Sequence, residues 1–250
     1  MAVDLKALFI QRYAPGAGRL YVSTSGNDGN PGTLASPKRN IQAAVDAMST
    51  SGGIIYVANG TYSGFVMGKN NSAWTLVIAD TRHGVHIDWA SDGYAVTLTG
   101  SYNAVWGLEV QGNNSQATPY SSGIMAGNGH HLAMWCCHGY DFSESAFGGI
   151  RADFVDVCYC VAHDNARWMP ECGSGISFYE FIRQGNPDQF GYHGYIIGNV
   201  SYHNWNDPYA TANTDGNGII VDDMDWTQNA GTPYTGKVLV ARILVVNNGG

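Results

Sequence analysis

Charge is scarce in this sequence. Only 13% of the 250 residues are charged, and the 12 Lys and Arg are scattered along a chain of net charge −8. Nucleic-acid binding needs clustered basic side chains to displace phosphate counterions, so that class is excluded. Long apolar runs are missing as well. No stretch approaches the roughly 20 residues of a membrane-spanning helix, which excludes helical membrane insertion. Met1 to Tyr13 sets Asp4, Lys6 and Arg12 around a short apolar patch, with no small-residue cleavage site, so it does not read as a signal peptide. Cysteine is limited to Cys136, Cys137, Cys158, Cys160 and Cys172. An odd count without metal-ligand spacing excludes a disulfide framework. Cys137 and Cys160 are expected to stack as buried thiols, one repeat apart.

Glycine is plentiful, at 33 residues, alongside many Asn, Ser and Thr. This composition fits a chain of short strands and tight turns. Gly-Ile pairs recur at Gly123-Ile124, Gly149-Ile150, Gly175-Ile176 and Gly218-Ile219, at intervals of 26, 26 and 43, with Gly93-Tyr94 as an earlier member. Second strands follow at Asp156 to Val161, Gly194 to Ser201 and Lys237 to Val246. Polar turns follow at His163-Asp164-Asn165, His203-Asn204 and Asn247-Asn248, where Asn tolerates the left-handed backbone of a corner. Units this short cannot bury their apolar faces alone and must stack on their neighbours. The expectation is an all-β, right-handed parallel β-helix spanning 20–250, after an N-terminal extension over 1–19. A β-propeller would need longer, four-stranded repeats.

One helix is predicted over 37–49. Ser36 would be its N-cap and Pro37 its first residue, with Ile41, Ala44, Val45 and Met48 on one face. It would cover the open first coil. The chain ends just after a strand, at Asn247-Asn248-Gly249-Gly250, with no visible C-terminal cap.

The segment Tyr21 to Tyr62 reads Tyr-Val-Ser-Thr-Ser-Gly-Asn-Asp-Gly-Asn-Pro-Gly-Thr-Leu, then Pro37, Ile41-Gln42-Ala43-Ala44-Val45, Ile55-Tyr56-Val57 and Gly60-Thr61-Tyr62. It resembles the N-terminal segment of secreted β-helix proteins, including pectate-lyase-like and alginate-lyase-like enzymes. The fold carries lyases, hydrolases, epimerases and phage tailspikes, so the resemblance bears on architecture more than on activity.

The Gly-Ile register also predicts a site. It aligns Gly175–Glu180 with Gly218–Asp223, placing Glu180 over Asp223 at the strand spacing of about 4.8 Å. Asp153, Tyr179 and Asp222 would form the adjoining column. Two stacked carboxylates repel unless a proton or cation lies between them. With Asp215 and Asp225 they form a candidate Ca²⁺ site made of Asp215, Asp222, Asp223, Asp225 and Glu180. The solvated acidic turn is the competing reading.

Resemblance to pectate-lyase-like proteins implies Ca²⁺ held by clustered Asp on one sheet, with Lys or Arg as base; Lys237 and Arg183 are the candidates. The chemistry implied is proton abstraction beside a uronate carboxylate, then elimination. Asn213-Thr214-Asp215-Gly216 with Asp222-Asp223 is similar to motifs of polygalacturonase-like hydrolases. Their two motifs lie a full coil apart, whereas here they are seven residues apart. His163, Asp164, Arg167, Tyr179, His203, Trp205 and Trp226 are candidate glycan-binding residues, because aromatic rings beside polar groups match the two kinds of sugar face.

The sequence thus predicts a carbohydrate-active protein, extracellular or on a virion surface. Its expected partner is an acidic polysaccharide or other glycan, cleaved by Ca²⁺-assisted β-elimination. The alternatives are a glycan-binding protein of tailspike or adhesin type, forming a homotrimer if virion-associated, and a polygalacturonase-like glycoside hydrolase.

Overall fold

The computed structural model describes residues 3–171, 173–184, 191–206, 216–228 and 231–249. The chain coils as a right-handed parallel β-helix, with every ladder between named strands parallel. Among the described residues its strands form a 12-stranded sheet and a 7-stranded sheet. In the larger sheet the long strands Gly93–Trp106 and Ser121–Trp135 bend across two faces. Beyond them the sheet divides into two arms. The first arm is Phe147–Ile150, Ser174–Tyr179 and Asn217–Asp222. The second is Asp153–Cys158, Tyr192–Ile197 and Lys237–Ala241. The smaller sheet runs from Gly60–Tyr62 through Val85–Asp88, Leu108–Gln111, His138–Tyr140, Val161–His163 and Val200–Tyr202 to Leu244–Val246.

The coil turns at stacked corners in left-handed backbone. Between the second arm and the smaller sheet these are Gly107, Cys136, Tyr159, Gly198 and Arg242, with φ from 55° to 75°. Each predicted second strand is therefore two strands: Asp156 to Val161 breaks at Tyr159, Gly194 to Ser201 at Gly198, and Lys237 to Val246 at Arg242. Inward residues stack by kind, as in the column Val96, Ile124, Phe147, Ile176 and Ile219. Four of the five thiols, those of Cys136, Cys137, Cys158 and Cys160, are free and buried. The backbone N–H of Val161 donates to Cys137 O, which brings Cys137 and Cys160 level on adjacent coils. Cys172 lies outside the described residues.

The Gly-Ile register holds in part. Ile176 pairs with Ile219, but Phe147 rather than Ile150 pairs with Ile124. Gly93 sits opposite Ser121, two residues before Gly123. Asp153 pairs with His130 on the second arm, and Ile150 occupies the place beside Tyr179 and Asp222 that the sequence had offered to Asp153.

Among the described residues two helices flank the coil. The sequence signals for a helix start at Ser36-Pro37 are overridden: α2 spans Ile41–Ala47 with Asn40 at its N-cap. The Asp28 carboxylate accepts the N–H groups of Arg39 and Asn40 and the Asn40 side chain, holding Asn40 extended. Ile41, Ala44, Val45 and Met48 are buried as predicted. The Lys69 ammonium donates to the carbonyls of Val45, Asp46 and Met48, a fit to the negative end of the helix.

The other helix, α1 (Leu5–Tyr13), was not predicted. Asp4 caps it by accepting from Lys6 N and Ala7 N. It lies against the outer face of the second arm. Phe9 and Tyr13 pack on Trp135 and Trp74, while Lys6 and Arg12 lie over Trp106 and Trp135. No helix among the described residues is long and apolar enough to cross a membrane.

Candidate functional site

The outer face of the first arm forms the floor of a groove of about 600 Å³, within the range of ligand sites. Outward positions on successive strands supply Met125, Ser177 and Ile220, then Ile150, Tyr179 and Asp222. Gly148 lies between Met125 and Ser177 in the same column. A side chain there would run into Ser177 O, so glycine keeps the coils close and the floor open. The turns before two strands form the wall, with Glu144 three residues before Phe147 and Glu171 three residues before Ser174. Tyr94, Gly149, Met169 and Gln228 complete the lining.

Among the described residues three carboxyl groups, those of Glu144, Glu171 and Asp222, thus face one groove, and its described lining contains no Lys or Arg. Burial pushes the Glu144 pKa up, and the charge of Glu171 pushes the same way; the 2.6 Å hydrogen bond from Ser122 Oγ only partly opposes them. Asp222 accepts from Asp223 N and more distantly from Gln228 Nε2. A groove that holds a carboxyl toward its protonated form beside other carboxylates can donate and accept protons. A second groove of equal volume, lined by Tyr21, Leu34, Tyr56 and Asp80, has one carboxylate and no such pair.

The predicted metal residues meet the groove only at its end. Glu180 does follow Tyr179 in the column that Asp223 follows from Asp222, and both are left-handed corners, with Arg151 as the next corner in the stack. Their side chains are engaged locally. Glu180, fully buried, accepts from Arg151 at 2.9 Å, and Arg151 lies over the Trp226 ring. Asp223 accepts from Gln228 N and Thr227 Oγ1, and Asp225 from Thr227 Oγ1. Among the described residues the one set of three potential ligand atoms within 4.8 Å of one another is elsewhere, at His83, Glu109 and His138. Asp215 lies outside the described residues, as does most of Asn213-Thr214-Asp215-Gly216.

The base candidates lie apart from the groove lining. Lys237 opens the last strand of the second arm, opposite Tyr192, and is exposed. Arg183 Nε lies 3.6 Å from the buried carboxylate of Asp153, which also accepts from Tyr234 OH and pairs with His193 Nδ1.

The predicted glycan-binding residues divide. Tyr179 lines the groove, and Arg167 stacks on Trp168 in the turn that carries Met169 and Glu171. His163, Asp164, His203 and Trp205 belong instead to the smaller sheet and its corners. There Tyr140, His163 and Tyr202 stack as parallel rings, 5.1 and 4.7 Å apart. Sequence reasoning missed Glu144 and Glu171. Their signal was positional: two acids one repeat apart, each three residues before a strand.

Comparison with known proteins supports the architecture. A rhamnogalacturonan lyase structure is similar at TM-score 0.60 and 15% identity, covering 93% of this chain and 69% of that one. The Escherichia coli protein ybhc is similar at TM-score 0.53 and 10% identity, over 90% and 71% of the two chains. At these identities the likeness is one of fold, and it is the parallel β-helix. No family model matches the sequence, and no curated protein matches it.

Proposed function

We propose that the protein binds a glycan chain along the groove of the first arm and cleaves it by carboxyl acid–base chemistry. Glu144 is the proton donor, and an ionised neighbour, Glu171 or Asp222, is the base. The carrying observation is the buried, proton-retaining Glu144 beside a second carboxyl group in an open groove. Paired carboxyl groups in unlike environments are what glycoside hydrolysis requires. Tyr94 and Tyr179 offer ring surface to the sugar. The absence of Lys and Arg from the lining favours an uncharged stretch of glycan.

A second reading, Ca²⁺-assisted β-elimination on an acidic polysaccharide, draws support from the same carboxyl groups, because Ca²⁺ takes oxygen ligands. The rhamnogalacturonan lyase of similar fold supports a polysaccharide substrate in either case. In this reading Asp222 is joined by Asp215, Asp223, Asp225 and Glu180, and Lys237 or Arg183 is the base. The local partners of those side chains make it the weaker of the two.

Digestion of neutral and acidic polysaccharides with and without a chelator separates them. The expected result is new reducing ends without unsaturated product, insensitive to chelator, and reduced about 10²–10⁴-fold in Glu144→Gln. Unsaturated product that disappears with chelator moves the assignment to elimination. A glycan bound by the groove but left intact by every preparation overturns cleavage.

A further inference from the structure

We infer that His83, Glu109 and His138 form a binding site for a zinc-type divalent cation on the smaller sheet, separate from the groove. Its basis is independent of the glycan reading. Register builds it. His86, Glu109 and His138 occupy one outward column on three successive strands. His83, held at φ 62°, turns its ring to within 5.3 Å of the His138 ring. One potential ligand atom from each of His83, Glu109 and His138 lies within 4.8 Å of the others, and all three residues are half-buried. Three protein ligands open to solvent on one side leave a coordination position for water or substrate.

Proton counting strengthens the assignment. Glu109 Oε2 faces His138 Nδ1 at 3.1 Å, His138 Nε2 faces His163 Nε2 at 2.8 Å, and His163 Nδ1 faces Asp164 Oδ2 at 2.6 Å. Three hydrogen bonds need three protons, and two neutral imidazoles carry two. Without a cation, the third proton has to be supplied by an imidazolium or by a protonated carboxyl group. A divalent ion held by Glu109 and His138 Nδ1 takes the place of the missing proton. His138 then donates from Nε2 to His163, and His163 donates from Nδ1 to Asp164, with both rings neutral. Metal-bound histidines are oriented in this way, by a second nitrogen that donates to a further acceptor.

His83 fits the same pattern. Its Nε2 lies 2.9 Å from the Cys136 carbonyl and 3.2 Å from Arg82 Nε, and the tautomer that donates to the carbonyl leaves the other nitrogen its lone pair. His86 Nδ1, at 3.0 Å, occupies the second oxygen of Glu109 and fixes the carboxylate. Two imidazoles and one carboxylate suit Zn²⁺ and its neighbours among the transition metals better than Ca²⁺. The Arg82 guanidinium, 3.2 Å from His83 Nε2, is the opposing charge.

Calorimetric titration of the full chain, stripped with chelator and dialysed, tests this with ZnCl₂ and with CaCl₂ as control. One zinc-binding event is expected, with no comparable calcium event. His138→Gln and Glu109→Gln should each weaken it by at least about tenfold, and Asp164→Asn by about tenfold. Arg82→Gln should tighten it, and Glu144→Gln in the groove should leave it unchanged. Absence of zinc binding overturns the proposal. So does unchanged affinity in His138→Gln and Glu109→Gln with circular dichroism matching the parent. If those variants misfold, Co²⁺ added to the parent chain decides. Visible absorption abolished by one equivalent of Zn²⁺ supports the site, and its absence overturns it.

Discussion

Glu144 gains more from burial than it loses to its one strong partner. Its carboxyl group sits in a wall of the groove, near Glu171, and among the described residues accepts only the Ser122 hydroxyl. The hydroxyl stabilises the ionised form, so removing it should push the Glu144 pKa higher still. In Ser122→Ala the alkaline limb of the pH–rate profile is expected to move to higher pH, while the acid limb stays where it is. A profile that does not move, or moves to lower pH, would mean that another group sets the limb. Glu144 also carries a stability signature. Its folded pKa is raised, so the stabilisation belongs to the protonated form: it is full below the ordinary glutamate pKa and is lost as pH rises through the folded value. Glu144→Gln should therefore melt at a higher temperature than the parent at pH 7, and the gap should close on acidification. Thermal melts across that range check it. A carboxyl group kept for chemistry in a place that disfavours its ionisation shows both effects together when it is replaced: activity lost and stability gained.

The helices show what the sequence reveals of single elements and what it hides. α2 was legible from the spacing of Ile41, Ala44, Val45 and Met48, because burial imposes that period. Its start was not, since Asp28, distant in sequence, captures the N–H groups of residues 39 and 40. α1 left a fainter trace: Asp4 as a cap, then Phe9 and Tyr13 four apart. What makes it a helix in this fold is the stripe of Trp74, Trp106 and Trp135 that it covers, drawn from three coils. The register Glu180–Asp223 was legible because Ile176 and Ile219 point inward. The side-chain partners of those acids were not: Arg151 reaches Glu180 only through the stacking of corners, and Asp223 is held by Thr227 and Gln228 in its own turn.

α1 is fastened at its end by Asp156, which accepts from Tyr13 OH at 2.6 Å and from Arg12 Nη2 at 3.0 Å. Arg12→Ala should leave the Asp156 charge with Tyr13 alone. A loss of about 1–2 kcal/mol is expected, below the roughly 3–5 of a fully buried pair, because the Arg12 side chain is 42% exposed. Burial holds the Asp156 pKa up, so it discharges readily, and the deficit should shrink as the pH falls. Denaturant titrations of both chains at neutral and acidic pH measure it; a deficit that grows in acid would contradict the assignment.

At the scale of the whole molecule, stability is passed from coil to coil. The turns after the smaller sheet were read as corners where Asn adopts the left-handed backbone. The left-handed residues are in fact Asp164, His203 and Asn247, and the Asn that follows each turns inward. Asn165, Asn204 and Asn248 form a ladder along the axis. Asn204 Oδ1 accepts from Asn165 N and Nδ2, and Asn204 Nδ2 donates to Asn248 Oδ1 at 2.7 Å. Asn165 Oδ1 in turn accepts from Phe142 N. Both Asn165 and Asn204 are fully buried, so every rung satisfies polar groups that water cannot reach. Asn204→Ala would orphan the buried N–H and Nδ2 groups of Asn165 on one neighbouring coil and remove one of the two donors to Asn248 Oδ1 on the other. About 1–3 kcal/mol for each buried orphan predicts a loss of about 2–4 kcal/mol. In a stack where each repeat touches chiefly its neighbours, that loss need not be shared evenly. Hydrogen exchange should accelerate in Val161–His163, Val200–Tyr202 and Leu244–Val246, while Gly53–Val57 and Val85–Asp88, several coils away, keep the protection of the parent. Equal acceleration in every strand would show that the coil unfolds as one unit, and that the ladder stabilises the whole rather than its own neighbourhood.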